Sequence, residues 1–181
     1  MKEAVSIRSE RPEDAHAVAR LLRAAFAEDP HSDGRESELV EALRRSDDYL
    51  PRLALTAENE AGVSGFLMMT RGFVPGEGGE ALPILILAPL AVTPEAQGRG
   101  IGSALVAEAL LRARASGEAG VVLLGDPGYY GRFGFKPAAD FGLRFPFDAP
   151  ERYCLALPLS PAFARCARGV VKFSDAFGLN S

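Results

Sequence analysis

Apolar and polar positions alternate along Val5-Ser6-Ile7-Arg8, a period of two that predicts a short first strand. The period then changes. Pro12 suits a first helical turn, and Glu13 and Asp14 stand where the helix dipole is positive. Ala15, Val18, Leu22, Ala25 and Phe26 follow at helical spacing and predict a helix to Ala27. A turn at Asp29-Pro30-His31-Ser32 leads to Asp33-x-x-Glu36, a capping-box pattern opening a second helix through Arg44. Leu53 to Glu58 and Val63 to Arg71 read as strands joined by a hairpin at Glu60-Ala61-Gly62, and Gly72 to Pro83 as a glycine- and proline-rich loop.

Ile84 to Val92 is a long apolar strand pattern in which Pro89 sits awkwardly, because proline cannot donate to a ladder. A turn with glycines at 98, 100 and 102 follows, then an amphipathic helix from Ser103 to about Ser116. Val121 to Leu124 has the pattern of a buried strand and Tyr129 to Phe133 that of a short helix. Phe141 to Phe147 and Arg152 to Leu159 predict two further strands around Asp148-Ala149-Pro150, and Gly169 to Phe173 a last short one. No internal repeat, low-complexity tract or linker is visible. The expectation is one α/β domain over residues 1–181.

Composition narrows the class. At 181 residues, 48% hydrophobic and 24% charged, the chain has the size and balance of one globular domain. No apolar stretch has membrane-spanning length; Leu82 to Val92 is too short and holds two prolines. Met1-Lys2-Glu3-Ala4-Val5 lacks the apolar run of a secretory signal. Cys154 and Cys166 make no metal spacing and suggest no disulfide framework, so reduced buried thiols in a cytoplasmic protein without a bound metal are expected. A net charge of −4 without a basic run argues against nucleic acid as a partner. The acids cluster in Glu28-Asp29, Asp33 to Glu41 and Asp47-Asp48. That cluster is either a solvated helix face or an acidic wall for a cationic amine.

The candidate chemistry lies between the strand ending at Val92 and the helix from Ser103. Backbone N–H groups at a glycine turn and a helix start form an anion site, because they are unpaired donors at the positive end of the dipole. A pyrophosphate-bearing ligand follows. The P-loop pattern requires Lys after its last glycine, but Ser103 follows Gly102. The dinucleotide fingerprint is G-x-G-x-x-G with an acid about 20 positions later on the next strand; here the spacing is G-x-G-x-G, and residues 119–125 carry no acid.

Gln97-Gly98-Arg99-Gly100-Ile101-Gly102, preceded by Leu90-Ala91-Val92-Thr93-Pro94-Glu95, resembles the acyl-CoA pyrophosphate loop of the GNAT superfamily of N-acetyltransferases. Gly128-Tyr129-Tyr130-Gly131-Arg132-Phe133-Gly134-Phe135 is similar to a second segment of that family, Y-x-x-x-G-F, in the family's order and at a fitting separation. Gly125-Asp126-Pro127 leading into it is similar to a bacterial branch of predicted acetyltransferases. The resemblance covers roughly residues 4–160.

The resemblance implies a mixed, mostly antiparallel sheet of about seven strands flanked by helices. Its fourth and fifth strands splay, with Pro89 marking the break. It implies acetyl-CoA as donor and an amine of a small molecule, peptide or protein as acceptor, and a homodimer is compatible with it; charge and hydropathy, as above, give no nucleic acid or membrane as expected partner. Backbone of Leu90, Ala91 and Val92 would bind the pantetheine arm. Gln97, Gly98, Arg99, Gly100, Ile101, Gly102 and Ser103 would hold the pyrophosphate, with Gln97 either bracing the turn or touching the ligand. Tyr130 aligns with the tyrosine that protonates the leaving thiolate, while Tyr129, Phe133 and Phe135 read as structural. For the base, Asp126 ranks ahead of His31, Glu36 and Glu38, although an Asp in Gly-Asp-Pro-Gly is also a turn former. Acceptor contacts would come from residues 28–36, 72–83 and 144–152. A non-catalytic acyl-CoA sensor, a protein-modifying acetyltransferase and a nucleotide-binding enzyme remain as alternatives.

Overall fold

Arg8 and Asp14 organise the start of the chain in the computed structural model, which describes residues 5–165 and 168–179. Cys166 and residues 1–4, on which part of the thiol and leader readings rests, lie outside the described residues. Arg8 stands on β1 (Ser6–Ser9) and donates two hydrogen bonds to Asp14, of 2.6 and 3.0 Å; Asp14 also accepts the Arg11 N–H at 2.8 Å. The predicted first helix therefore opens as a tight 3-10 turn, Pro12–Asp14, before α1 (Ala15–Phe26), which buries Val18, Leu21 and Leu22. In α2 (Glu36–Arg44) the capping-box expectation is corrected. Asp33 bonds the Arg35 N–H at 3.0 Å, Ser32 bonds Glu36, and Arg35 occupies the cap position without a side-chain cap. Both Ser32 and Asp33 can close such a turn, and the local pattern does not rank them.

The chain forms two compact units. The first holds the described residues through Met69 together with Ala88–Arg112. Its strands run in the order β1, β2 (Tyr49–Asn59), the start of β3 (Gly62–Pro75) and the end of β4 (Ala81–Val92). β1 and β2 are antiparallel, from Ser6 opposite Glu58 to Ser9 opposite Leu55. Asn59 accepts the Ala61 N–H at 3.0 Å and Gly62 adopts φ +107°, which closes the predicted hairpin. Most of α3 (Ile101–Ala115) belongs here, with Ile101, Leu105, Val106, Ala109 and Leu110 buried at helical spacing.

The second unit holds Thr70–Leu87 and the described residues from Ala113 onward. Its strands follow the order β3, β4, β5 (Gly120–Leu124), β8 (Cys154–Pro158) and β6 (Lys136–Pro137). β4 and β5 are parallel, whereas β5 and β6 are antiparallel to β8. The β4–β5 ladder contains Leu85 opposite Val121 and Ile86 opposite Val122, and stops short of Pro89. The sheet is thus mixed and mostly antiparallel. β7 (Leu143–Arg144) pairs in parallel with β9 (Gly169–Val170) in a separate small sheet, and α4 (Pro127–Tyr130) and α5 (Pro161–Ala164) are single turns.

Three expectations change in this unit. The loop predicted over Gly72 to Pro83 shrinks to the turn at 76–80, closed by Gly76 N–H on the Glu80 carbonyl at 2.7 Å. Gly72 lies within β3, where a methyl group in its place would come within 2.6 Å of Ile86 Cδ1. The strand predicted over Phe141 to Phe147 keeps only β7. Gly142 at φ +73° ends a 3-10 turn before it, and Phe145 and Phe147 pack edge to face with Phe173. The strand predicted over Gly169 to Phe173 shortens to β9, with Lys172 making an isolated bridge to Phe73.

Candidate functional site

β4 ends at Val92, and Thr93 donates its N–H to the Ser64 carbonyl at 2.9 Å, which ties the exit of the strand to β3. Pro94–Ala96 make one 3-10 turn. Gln97 then turns its side chain back, and Nε2 donates to the Val92 carbonyl at 3.1 Å. That bond is the contact a residue bracing the turn would make. Gly98 and Gly100 stand at φ +74° and +86°, where a Cβ costs about 1–2 kcal/mol. A Cβ at either would meet nothing within 4 Å, so backbone conformation and not crowding at that atom selects glycine.

α3 begins at Ile101, two residues before the predicted start. Its first i→i−4 bond runs from Ala104 N–H to the Gly100 carbonyl at 3.0 Å, which leaves the N–H groups of Ile101 and Gly102 without an acceptor in the helix. Arg99 is exposed and Ser103 half-buried. Within β4, Ala91 is buried, Leu90 and Val92 are half-buried, and the Ala88–Pro89 peptide is cis. A turn with two left-handed glycines at the positive end of a 15-residue helix can receive a phosphate group.

The second unit builds the aromatic segment. Past β5, Asp126 caps α4: Oδ1 accepts the Gly128 N–H at 3.0 Å, and its carbonyl accepts Tyr129 and Tyr130 N–H at 3.1 and 3.0 Å. Its turn-forming role is therefore present in full. Tyr130 is buried, edge to face with Tyr129 (ring centres 4.9 Å apart) and with Phe135 (5.8 Å). Burial holds its phenol above the ordinary value of 10, and neighbouring Tyr129 raises it further. Gly134 at φ +93° turns the chain so that Phe135 is buried, while Phe133 is half-buried against Tyr129. Arg132 stacks on the Tyr129 ring at 4.6 Å and donates to its carbonyl at 2.9 Å.

The other acid–base candidates lie in the first unit. His31 is exposed, with its backbone N–H on Asp29 at 2.8 Å; Glu36 is bonded to Ser32, and exposed Glu38 accepts from Ser37 at 3.3 Å. The acidic stretch is interleaved with arginines: Arg35 pairs with Asp33, and Arg44 and Arg45 pair with Glu41. That favours the solvated-face reading over an acidic wall. Sequence reasoning missed Gly65, against which the first turn of α3 lies, Ser64, which holds the exit of β4 through Thr93, and Gly125, which touches Tyr130. A glycine inside a strand pattern is the signal that could have found Gly65.

Among the described residues, no helix is long and apolar enough to cross a membrane, and no group of three or more His, Cys, Asp or Glu could hold a metal ion. Cys154 is a buried free thiol.

A family model described as an acetyltransferase (GNAT) domain matches residues 6–138. YhbS of Escherichia coli, an uncharacterized N-acetyltransferase, is 34% identical over 171 residues, covering 94% of this chain and 97% of the relative. YjhQ of the same organism, named likewise, is 38% identical over 120 residues; the match spans 66% of each chain. The crystal structure of Escherichia coli YhbS in complex with CoA matches with a TM-score of 0.85 at 33% identity, over 97% of this chain and 93% of that one. A GNAT family acetyltransferase from Brucella melitensis in complex with acetyl-CoA matches with a TM-score of 0.78 at 35% identity, over 97% and 99%.

Proposed function

Because the chain belongs to the GNAT family of N-acetyltransferases, and so to the acyltransferases, we propose that it moves an acetyl group from acetyl-CoA directly to a primary amine. The observation that carries this reading is the turn from Gln97 to Gly102, with its two left-handed glycines at the start of α3. Bound acetyl-CoA or CoA in the Brucella melitensis and YhbS structures supports it.

In this reading the N–H groups of Gly98 through Ser103 bind the pyrophosphate, Arg99 adds charge to it, and Gln97 braces the turn. Backbone of Leu90, Ala91 and Val92 holds the pantetheine arm and polarises the thioester carbonyl. Donors aimed at the oxygen where charge develops are often the largest catalytic contribution. The neutral amine nitrogen attacks that carbonyl, the C–S bond breaks, and the amine proton leaves. Holding both substrates in one orientation supplies much of the rate, so no enzyme nucleophile is needed.

Tyr130 gives its proton to the departing thiolate. A free thiol has a pKa near 8.5, so transfer from a phenol is uphill, but a phenol held above 10 is always loaded at working pH. Asp126 is the proposed acceptor of the amine proton, through the oxygen that Gly128 does not engage or through a water on it. The reduced thiol of Cys154 fits a cytoplasmic enzyme, and the net charge of −4 fits an amine and not nucleic acid as partner.

Free-thiol release from acetyl-CoA across amines, amino acids, polyamines and peptides tests the proposal, with mass spectrometry of the acceptor. Thiol release matched by an acetylated amine supports it. Acetyl-CoA binding without thiol release from any acceptor would identify a sensor instead.

A further inference from the structure

Tyr130 rests on a residue that has no side chain. A methyl group on Gly125 would lie 2.5 Å from Tyr130 Cε2, 2.9 Å from Cδ2 and 3.0 Å from Leu123 Cδ1. Carbon atoms in good contact stand about 3.5–4.0 Å apart, so no side chain fits there while the ring keeps its place. Nor does the backbone ask for glycine at this point, because Gly125 is outside the left-handed region that ten other glycines of the chain occupy. The ring itself is the reason.

The surroundings hold both partners of this contact still. Gly125 donates its N–H to the Tyr153 carbonyl at 2.9 Å. Tyr130 is pinned through its own N–H on the Asp126 carbonyl, and its ring is flanked edge to face by Tyr129 and Phe135. The space left for the ring is therefore defined on one side by a bare Cα and on two others by aromatic edges.

We propose that Gly125 is a positioning residue for acetyl transfer: its bare Cα is the seat that sets where the Tyr130 hydroxyl stands. This rests on the proposed role of Tyr130 as the proton donor to the thiolate. A side chain at position 125 lifts the ring from its seat, moves the hydroxyl and admits water to it, with no group of the glycine turn altered.

The test uses full-length protein labelled with 3-fluorotyrosine, the Tyr130 resonance being assigned by its loss in Tyr130→Phe. In Gly125→Ala the Tyr130 19F resonance should move and its ionisation midpoint should fall, because the lifted phenol is better solvated. Steady-state kinetics should show kcat down about tenfold or more, part of the roughly 10²–10⁴-fold that general-acid catalysis supplies, with KM for acetyl-CoA within about twofold. In the Tyr130→Phe background, adding Gly125→Ala should change kcat by less than about twofold, because the proton it misplaces is gone. If Gly125→Ala alone unfolds, the pair Gly125→Ala with Tyr130→Leu should recover a folded protein, since the smaller side chain vacates the seat; failure to recover would overturn the contact. A folded Gly125→Ala with an unmoved Tyr130 resonance and midpoint would overturn the proposal. A moved resonance with kcat unchanged in both Gly125→Ala and Tyr130→Phe would overturn the acid role of Tyr130, and the positioning role with it.

Discussion

Gly65 on β3 meets Ile101 on the first turn of α3 so closely that a methyl group on the glycine would lie 2.8 Å from Ile101 Cγ2 and 2.9 Å from Leu105 Cδ1. The start of the helix lies flat on the strand because nothing projects from it. Gly65→Val should therefore overpack the contact at a cost of about 1–3 kcal/mol and tilt the first turn of α3. Chemical denaturation should show the loss of stability, and titration calorimetry a weaker acetyl-CoA affinity. Wild-type values for both would show that the helix tolerates the side chain and that its start is not set here.

Tyr130→Phe keeps the ring, its burial and its edge-to-face neighbours, and removes the proton. We expect kcat to fall by about 10²-fold, the lower end of general-acid catalysis, with little change in acetyl-CoA affinity or thermal midpoint. Undiminished kcat would remove Tyr130 from the proton path.

Asp126 serves as a cap whatever else it does, and two substitutions separate the roles. Asparagine can still accept the Gly128 N–H, so Asp126→Asn should melt like wild type and lose only a proton acceptor, with kcat down about 10²-fold. Asp126→Ala removes the cap as well and should cost about 1 kcal/mol more stability. Wild-type kcat in Asp126→Asn would leave the residue with the cap alone.

The Arg8–Asp14 pair predicts a pH dependence of stability. The Arg8 hydrogen bonds, ahead of the Arg11 N–H, hold the Asp14 carboxyl below its ordinary range, against the opposing effect of burial. A carboxyl whose folded pKa lies below its unfolded value of about 3.9 stabilises the fold fully above that value, and loses this as pH falls through the folded one. Wild type should therefore lose stability relative to Asp14→Asn as the pH drops below about 4, narrowing a gap that is constant at neutral pH. A gap that stays constant through the acid range would contradict the pairing.

Long, strongly periodic pieces were legible in the sequence. α1, β5 and the run from β4 through the glycine turn into α3 all lie within two or three residues of their expected positions. The glycine turn was legible because its physics is local: backbone conformation, spacing and a helix start occupy a dozen consecutive residues. What lay beyond reach depends on distant partners. Arg71 grips buried Glu118 through bonds of 2.6 and 3.0 Å across 47 positions, and no local pattern announces that. β6 and β7, at two residues each, are too short to repeat even the two-residue period of a strand. Phe141 to Phe147 read as a strand because apolar runs look alike, yet Phe145 and Phe147 belong to an aromatic cluster. The proton acceptor stayed ambiguous for a different reason: one carboxylate, Asp126, suits both cap and base chemistry, and residue type does not separate them.

The most direct test is calorimetric titration of acetyl-CoA into wild-type protein and Gly100→Glu, with Gly100→Ala as the conformational control. Gly100 adopts φ +86° with open space beyond its Cα, so both variants carry the same left-handed cost of about 1–2 kcal/mol and should fold. Glutamate alone places a negative charge where the pyrophosphate would sit. The account predicts that Gly100→Glu binds acetyl-CoA at least about 100-fold more weakly than Gly100→Ala, about 2.7 kcal/mol of lost affinity. Equal affinity in the two variants would contradict it.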